Sequence, residues 1–184
     1  MERKGGENLE KWLKISNLVD KKSNEMTTRI TLPLHLKEYL VAKFGNYGEE
    51  PVHFPDECDL YHVLYDLLQK RPADCPVDSG NVEIFLPNRS YGKKPETYNY
   101  LSERSQKILT KRIELAMWAE VHELLDYQKH QLGNDFIEGV HTFMTRYSIE
   151  SLSEDAFLKN YYRWRQSLRR REKKRDYKRK KCMD

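Results

Sequence analysis

Cysteine is scarce: Cys58, Cys75 and Cys182 are the only three in 184 residues. An odd count leaves at least one thiol without a partner and argues against a secreted, disulfide-built scaffold. Long apolar runs are missing too, so no segment of the length a bilayer requires is expected. The polar start Met1-Glu2-Arg3-Lys4-Gly5-Gly6 has no apolar signal core behind it. A cytoplasmic chain with no membrane partner is the expectation. Catalytic signatures are equally absent. There is no Gly-x-x-x-x-Gly-Lys-Ser/Thr loop, no dinucleotide glycine pattern, no His-Glu-x-x-His and no Gly-x-Ser-x-Gly. Neither enzyme activity nor a cofactor is expected. A nuclease assembled from scattered carboxylates is the enzymatic rival, with Asp56, Glu57 and Asp59 as its densest cluster; acids at a helix start are expected for electrostatic reasons anyway.

Metal ligands lack the right spacing. His53, Cys58, His62 and Cys75 include one i,i+4 pair but no close Cys-x-x-Cys, and Cys75 follows a proline loop. His122, Asp126 and His130 recur every four residues on one helical stripe, which reads more simply as a solvated face. No metal site is expected.

What the chain does have is charge. Charged residues make up 34% and hydrophobic ones 38%, enough for a core with the surplus charge on solvated helix faces. The net charge of +4 hides an imbalance. Twelve Lys and Arg against three acids fall between Arg163 and Asp184, so that end carries +9 and the rest carries −5. Attraction for polyanions is concentrated at the C-terminal end.

Hydrophobic periodicity predicts a mainly α, α+β protein with a small two-stranded element and a C-terminal helix-turn-helix-like pair. Four regions are expected: an arm over 1–26, an α+β body over 27–131, paired helices over 132–172 and a basic tail over 173–184. Leu9, Trp12, Leu13, Ile15, Leu18 and Val19 allow a short helix in the arm. Alternation at Thr28–Leu32 predicts a strand, and Pro33 and Gly45 bracket a helix. Asp56 is the expected cap of a helix that ends before Pro72. Val82–Leu86 repeats the strand pattern. Ser102 to about Gln131 is the longest helix, and Asn134 is expected to cap the next one. Val63, Leu67, Leu109, Ile113, Val140, Phe143, Phe157 and Trp164 are the expected core.

The last stretch carries the functional reading. Phe136, Val140, Phe143, Met144 and Tyr147 share one helical face. A break at 148–153 follows, with Ser151 or Ser153 as the cap. Then Phe157, Tyr161, Trp164 and Leu168 share a face while Lys159, Tyr162, Arg163, Arg165, Arg169 and Arg170 occupy the others. Two helices, a short connection and a basic, aromatic second helix outline a helix-turn-helix. Arg gives bidentate contacts to phosphate and guanine. Lys159, Asn160 and Arg163 are the candidates for reading bases, and Tyr162, Arg165, Arg169, Arg170, Arg171, Lys173, Lys174 and Arg175 for gripping the backbone. The cations are expected to sit in a folded patch.

Arg29-Ile30-Thr31-Leu32-Pro33-Leu34-His35-Leu36-Lys37-Glu38-Tyr39-Leu40 resembles the opening of ribbon-helix-helix DNA-binding proteins, a short strand ending in Leu-Pro followed by a helix. That resemblance implies strands paired across a homodimer, with Arg29 and Thr31 facing the major groove. The strand at 82–86 is a partner from within the same chain, but it would turn Glu83 and Phe85 outward. The whole chain also looks like small proteins of bacterial prophages and mobile elements. The expected function is an accessory or regulatory protein that binds nucleic acid, specifically duplex DNA. The alternatives are an adaptor whose basic tail docks on an acidic partner protein, with Tyr161 and Trp164 as anchors, and an RNA or single-strand binder stacking bases on Tyr161, Tyr162 and Trp164.

Overall fold

The structure is a computed structural model that describes residues 26–75 and 78–181. The helical pattern between Leu9 and Val19 and the third cysteine lie outside the described residues. Strand β1 (Thr27–Ile30) leads into α1 (Leu34–Phe44), then the hairpin β2 (Gly45–Asn46) and β3 (Glu49–Val52), α2 (Asp59–Leu67) and β4 (Val82–Phe85). Three helical segments complete the chain: α3 (Glu103–Tyr127), α4 (Phe136–Tyr147) and α5 (Glu154–Lys181). The mainly helical α+β class read from periodicity is the class observed.

The two expected strands do pair. β1 and β4 run antiparallel, with Arg29 opposite Glu83 and Ile30 opposite Val82. Ile30, Val82 and Ile84 point inward and are at most 1% exposed, as the two-residue period requires. Asn81 prolongs the pairing beyond the strand: its side-chain oxygen accepts from the Leu32 amide at 2.9 Å and its NH2 donates to the Leu32 carbonyl at 2.8 Å. The sheet is larger than two strands, however, with the order β1-β4-β3-β2. The added hairpin turns at Tyr47 and Gly48, whose φ values are 55° and 79°, the left-handed pair that a two-residue hairpin connection needs.

Helix α1 begins after Pro33 and ends at Gly45, as its proline and glycine dictate. Helix α2 starts later than expected. Pro55 to Cys58 forms a turn closed by the Cys58 amide on the Pro55 carbonyl at 2.9 Å, so Cys58 rather than Asp56 occupies the cap position. On α3, Leu109, Ile113, Met117, Val121 and Leu125 recur every four residues and are at most 1% exposed. A four-residue repeat drifts by roughly 40° per step around a 3.6-residue helix. The buried stripe therefore winds about α3, and this one helix packs in turn against α1, α2, α4 and α5.

A π-helical turn, Gln128–Leu132, ends α3, and Gly133 in the left-handed region stops it. Helix α4 is capped by Asp135, not Asn134, in a reciprocal box with Glu138. Asn134 is already committed to the π turn, donating to the Gln128 side chain at 2.6 Å. Close approach of α4 to α3 needs Gly139, where an added Cβ would come within 2.6 Å of Leu125 Cδ2. The core runs unbroken from Ile30 to Tyr161. Of the expected core residues, Leu109, Ile113, Val140, Phe143 and Phe157 are fully buried, while Val63, Leu67 and Trp164 pack against the core's margin.

Candidate nucleic-acid interface

Helix α5 has two halves of different physical character. Ser153 precedes it and its carbonyl accepts from Ala156 at 3.0 Å. Ser151, the other candidate cap, instead donates its hydroxyl to Glu38 at 2.6 Å and ties the connection to α1. In the first half Phe157 and Tyr161 are fully buried. Tyr161 donates to Asp126 of α3, and burial followed by that bond pushes its hydroxyl up to about 12. Trp164 stacks on His122 with ring centroids 4.3 Å apart and an interplanar angle of 15°. His122 in turn bonds Asn160 at 2.9 Å. Desolvation holds this histidine below its ordinary pKa, so it is neutral at pH 7.

Among the described residues the second half has no such support. The buried positions 157 and 161 and the half-buried 164 and 168 recur at three- and four-residue steps, and the same steps continue onto Arg171, Glu172 and Arg175. A charged stripe gives the helix nothing to bury, and every side chain described from Arg169 to Tyr177 is exposed. From Arg169 to Lys181 the helix extends for about 20 Å at the usual rise. The expected folded patch of cations is thus replaced by a cationic rod carried on a docked base.

The candidate residues divide accordingly. Arg165 belongs to the fold: it donates to Asp126 at 2.7 Å and to the Tyr161 hydroxyl at 3.0 Å, and lies against His130. Asn160 is spent on His122. Lys159 pairs with Asp155 one turn back at 2.5 Å. Of the three residues expected to read bases, Arg163 alone remains exposed without an ion pair among the described residues. Arg169, Arg170, Arg171, Lys173, Lys174 and Arg175 are likewise exposed and without ion pairs among the described residues. Tyr162 is 52% exposed and meets Phe136 of α4 edge-on at 6.0 Å. With Arg163, Arg165, Gln166 and Arg169 these two rings line a shallow notch where the docked and projecting halves meet. The buried Tyr161 ring forms the floor side of that notch, and Trp164, partly buried, gives one face to His122.

The strand candidates are elsewhere. Arg29 and Thr31 are exposed on the outer side of the β1 edge, but Arg29 pairs with Glu83 at 3.1 Å. The Glu83 carboxyl is held below its usual range first by the Thr27 hydroxyl and then by Arg29. Glu50 adds a second carboxylate beside it, accepting from the Glu83 amide at 3.0 Å. That outer face is balanced in charge and lacks the excess of cations that phosphate demands.

Sequence reasoning missed the π turn and the Phe136 wall of the notch; the early glycine after a polar run, Gln131-Leu132-Gly133, was the available signal. Among the described residues, no group of three or more His, Cys, Asp or Glu side chains is close enough to hold a metal ion, and no helix is long and apolar enough to cross a membrane. No family model, curated protein or solved structure matches this chain.

Proposed function

We propose that this protein binds duplex nucleic acid through the projecting half of α5. One observation carries the reading: from Arg169 to Arg175 six cations and one acid stand exposed on the half of α5 that lies beyond its docked base. Self-repulsion among neighbouring cations costs stability unless a polyanion relieves it, and a rod of α-helix fits the width of a DNA major groove. Phosphate contacts supply the affinity, which is sequence-independent and falls with salt. Arg163 and Tyr162, at the base of the rod, are the side chains placed to add a contact beyond phosphate. Tyr161 is absorbed in the core and Trp164 is engaged with His122 at its margin, which favours a duplex over a stacked single strand.

The test is a mobility-shift titration with random duplex DNA, the matching single strand and duplex RNA at low salt. Tighter binding of a duplex supports the reading. Preference for the single strand favours base stacking at Tyr162. Absence of binding to all three transfers the rod to an acidic protein partner.

A further inference from the structure

A second site lies between the β3–α2 turn and the segment that follows β4. It consists of two adjoining hollows. The larger, ≈580 Å³, falls within the range of small-molecule sites, and its lining combines the rings of His53, Pro55, Tyr61, Phe85 and Pro87 with the acids Asp56 and Glu57. The smaller, ≈340 Å³, is lined by His62, Arg89 and Ser90. Asp56, Tyr61 and Asn88 border both.

Arg89 is what makes this more than a dent in the surface. Its guanidinium stands over the Tyr65 ring at 4.0 Å and the Tyr61 ring at 5.0 Å, and it donates to His62 Nδ1 at 2.6 Å. That bond puts the histidine proton on Nε2. Among the other partly buried cations Lys37 pairs with Glu50 and Arg165 with Asp126, while the Lys93 ammonium is taken up by the carbonyls of Tyr65, Asp66 and Leu68. Arg89 is half-buried, fixed by two rings, and makes no ion pair among the described residues. A preoriented guanidinium with unused N–H donors at the mouth of a hollow is a receptor for a phosphate or carboxylate.

We infer that the paired hollows take a ribonucleoside 5′-monophosphate, with the phosphate on Arg89, the ribose at Asp56 and the base against the Phe85, Tyr61 and Pro87 walls. The order of groups follows from the lining. Arg89 and Ser90 line the smaller hollow, Phe85 and Pro87 line the larger, and the Tyr61 ring is shared. The shared border contributes a carboxylate, which accepts hydrogen bonds from ribose hydroxyls. Each compartment suits the group assigned to it, and a bare phosphate would leave the ring-walled hollow empty. This site is independent of the cationic rod.

Adenosine monophosphate, its 2′-deoxy counterpart, adenosine and inorganic phosphate are titrated into the full chain and followed by amide chemical shifts. Expected is saturable binding of the monophosphate, with shifts confined to His53–His62 and Phe85–Ser90. The deoxy compound, adenosine and phosphate should each bind roughly tenfold or more weakly, the usual loss for one hydrogen-bonded or charged group. R89A should cost a similar factor, and D56N should abolish the preference for ribose while leaving phosphate dependence intact. Circular dichroism checks that both variants fold. Inorganic phosphate binding as tightly as the nucleotide, or shifts that do not map to these two segments, would overturn the assignment, as would no saturation at millimolar nucleotide.

Discussion

Arg165 and Asp126 are joined across the α3–α5 interface at 2.7 Å, and the Tyr161 hydroxyl closes the triangle by donating to the same carboxylate oxygen. This contact lies beside Trp164, the last α5 residue among those described that packs against the core, and marks where α5 stops being structure and becomes an exposed surface. It also reassigns a residue: an arginine in a basic run, indistinguishable by sequence from its neighbours, is a structural tether.

Replacing Arg165 by Ala leaves Asp126 and Tyr161 short of a partner. Both charged side chains are about one-third exposed, so solvent screening reduces the loss to about 1 kcal/mol. A urea titration of R165A, D126A and the double variant should give a coupling energy of that order. Duplex affinity of R165A should fall no further than for any other single lost charge. A collapse of binding with no change in stability would return Arg165 to the interface.

Glu120 on α3 gathers Tyr39 and Lys43 of α1 and Tyr147 of α4 on one carboxylate. Burial alone would raise its pKa; the donors, Lys43 first, outweigh burial and hold it below the usual value. Its stabilising effect is present above the ordinary glutamate range and is lost as pH falls through the depressed value. Tyr147 has the opposite sign. Burial, then Glu120, pushes it up to about 12, so its contribution is full below its ordinary pKa of 10 and is lost as pH rises from there towards 12. Thermal unfolding followed from acid to alkaline pH, with tyrosinate absorbance as a second probe, should show both limbs. E120A should flatten them and cost about 1–3 kcal/mol for the orphaned donors.

His122 supplies a third pH effect. Its folded pKa lies below the ordinary 6.5 because of desolvation, so the unfolded chain binds the proton more readily and stability declines as pH drops beneath 6.5. Because Trp164 stacks on this ring, tryptophan fluorescence should change over the same range. H122F should remove the acid-side decline, and, because Trp118 also stacks on the ring at 6.4 Å, the optical signal should shrink in W164F while the decline is kept. An unchanged pH profile in H122F would place that titration elsewhere.

Much of the fold could be read beforehand because its determinants are local. Pro33 and Gly45 set α1, Ser102 caps α3, and the alternation around Ile30 and Ile84 gave two strands that do pair. What escaped depends on position in three dimensions. The β2–β3 hairpin turns on Tyr47, an unusual residue for positive φ, and only Gly48 hinted at it. Asp56 has the chemistry of a cap, but Pro55 diverts the chain into a turn first. In α5 the aromatic residues interleaved with cations suggested a binding surface. Tyr161 and Trp164 in fact point at His122 and Asp126, which lie far away in the sequence. The onset of the charged stripe after Leu168 was legible, and it is what frees the rod.

Amide exchange provides an independent view of that division. Backbone hydrogen bonds from Ser167 onwards lack tertiary cover and should open at low cost. Amides between Phe157 and Trp164 should be protected by orders of magnitude more. Added duplex DNA should slow exchange in the distal half and leave the proximal half unchanged.

The most direct measurement is the salt dependence of duplex binding, compared between the natural chain and a variant in which Arg169, Arg170, Arg171, Lys173, Lys174 and Arg175 are all Gln, chosen to keep helix propensity. With six phosphates neutralised, log affinity should fall against log salt with a slope of roughly −5. The variant should lose most of that slope and most of the affinity while melting like the parent. Binding that is insensitive to salt, or a variant that grips duplex as the parent does, would contradict the assignment of the projecting helix to nucleic acid.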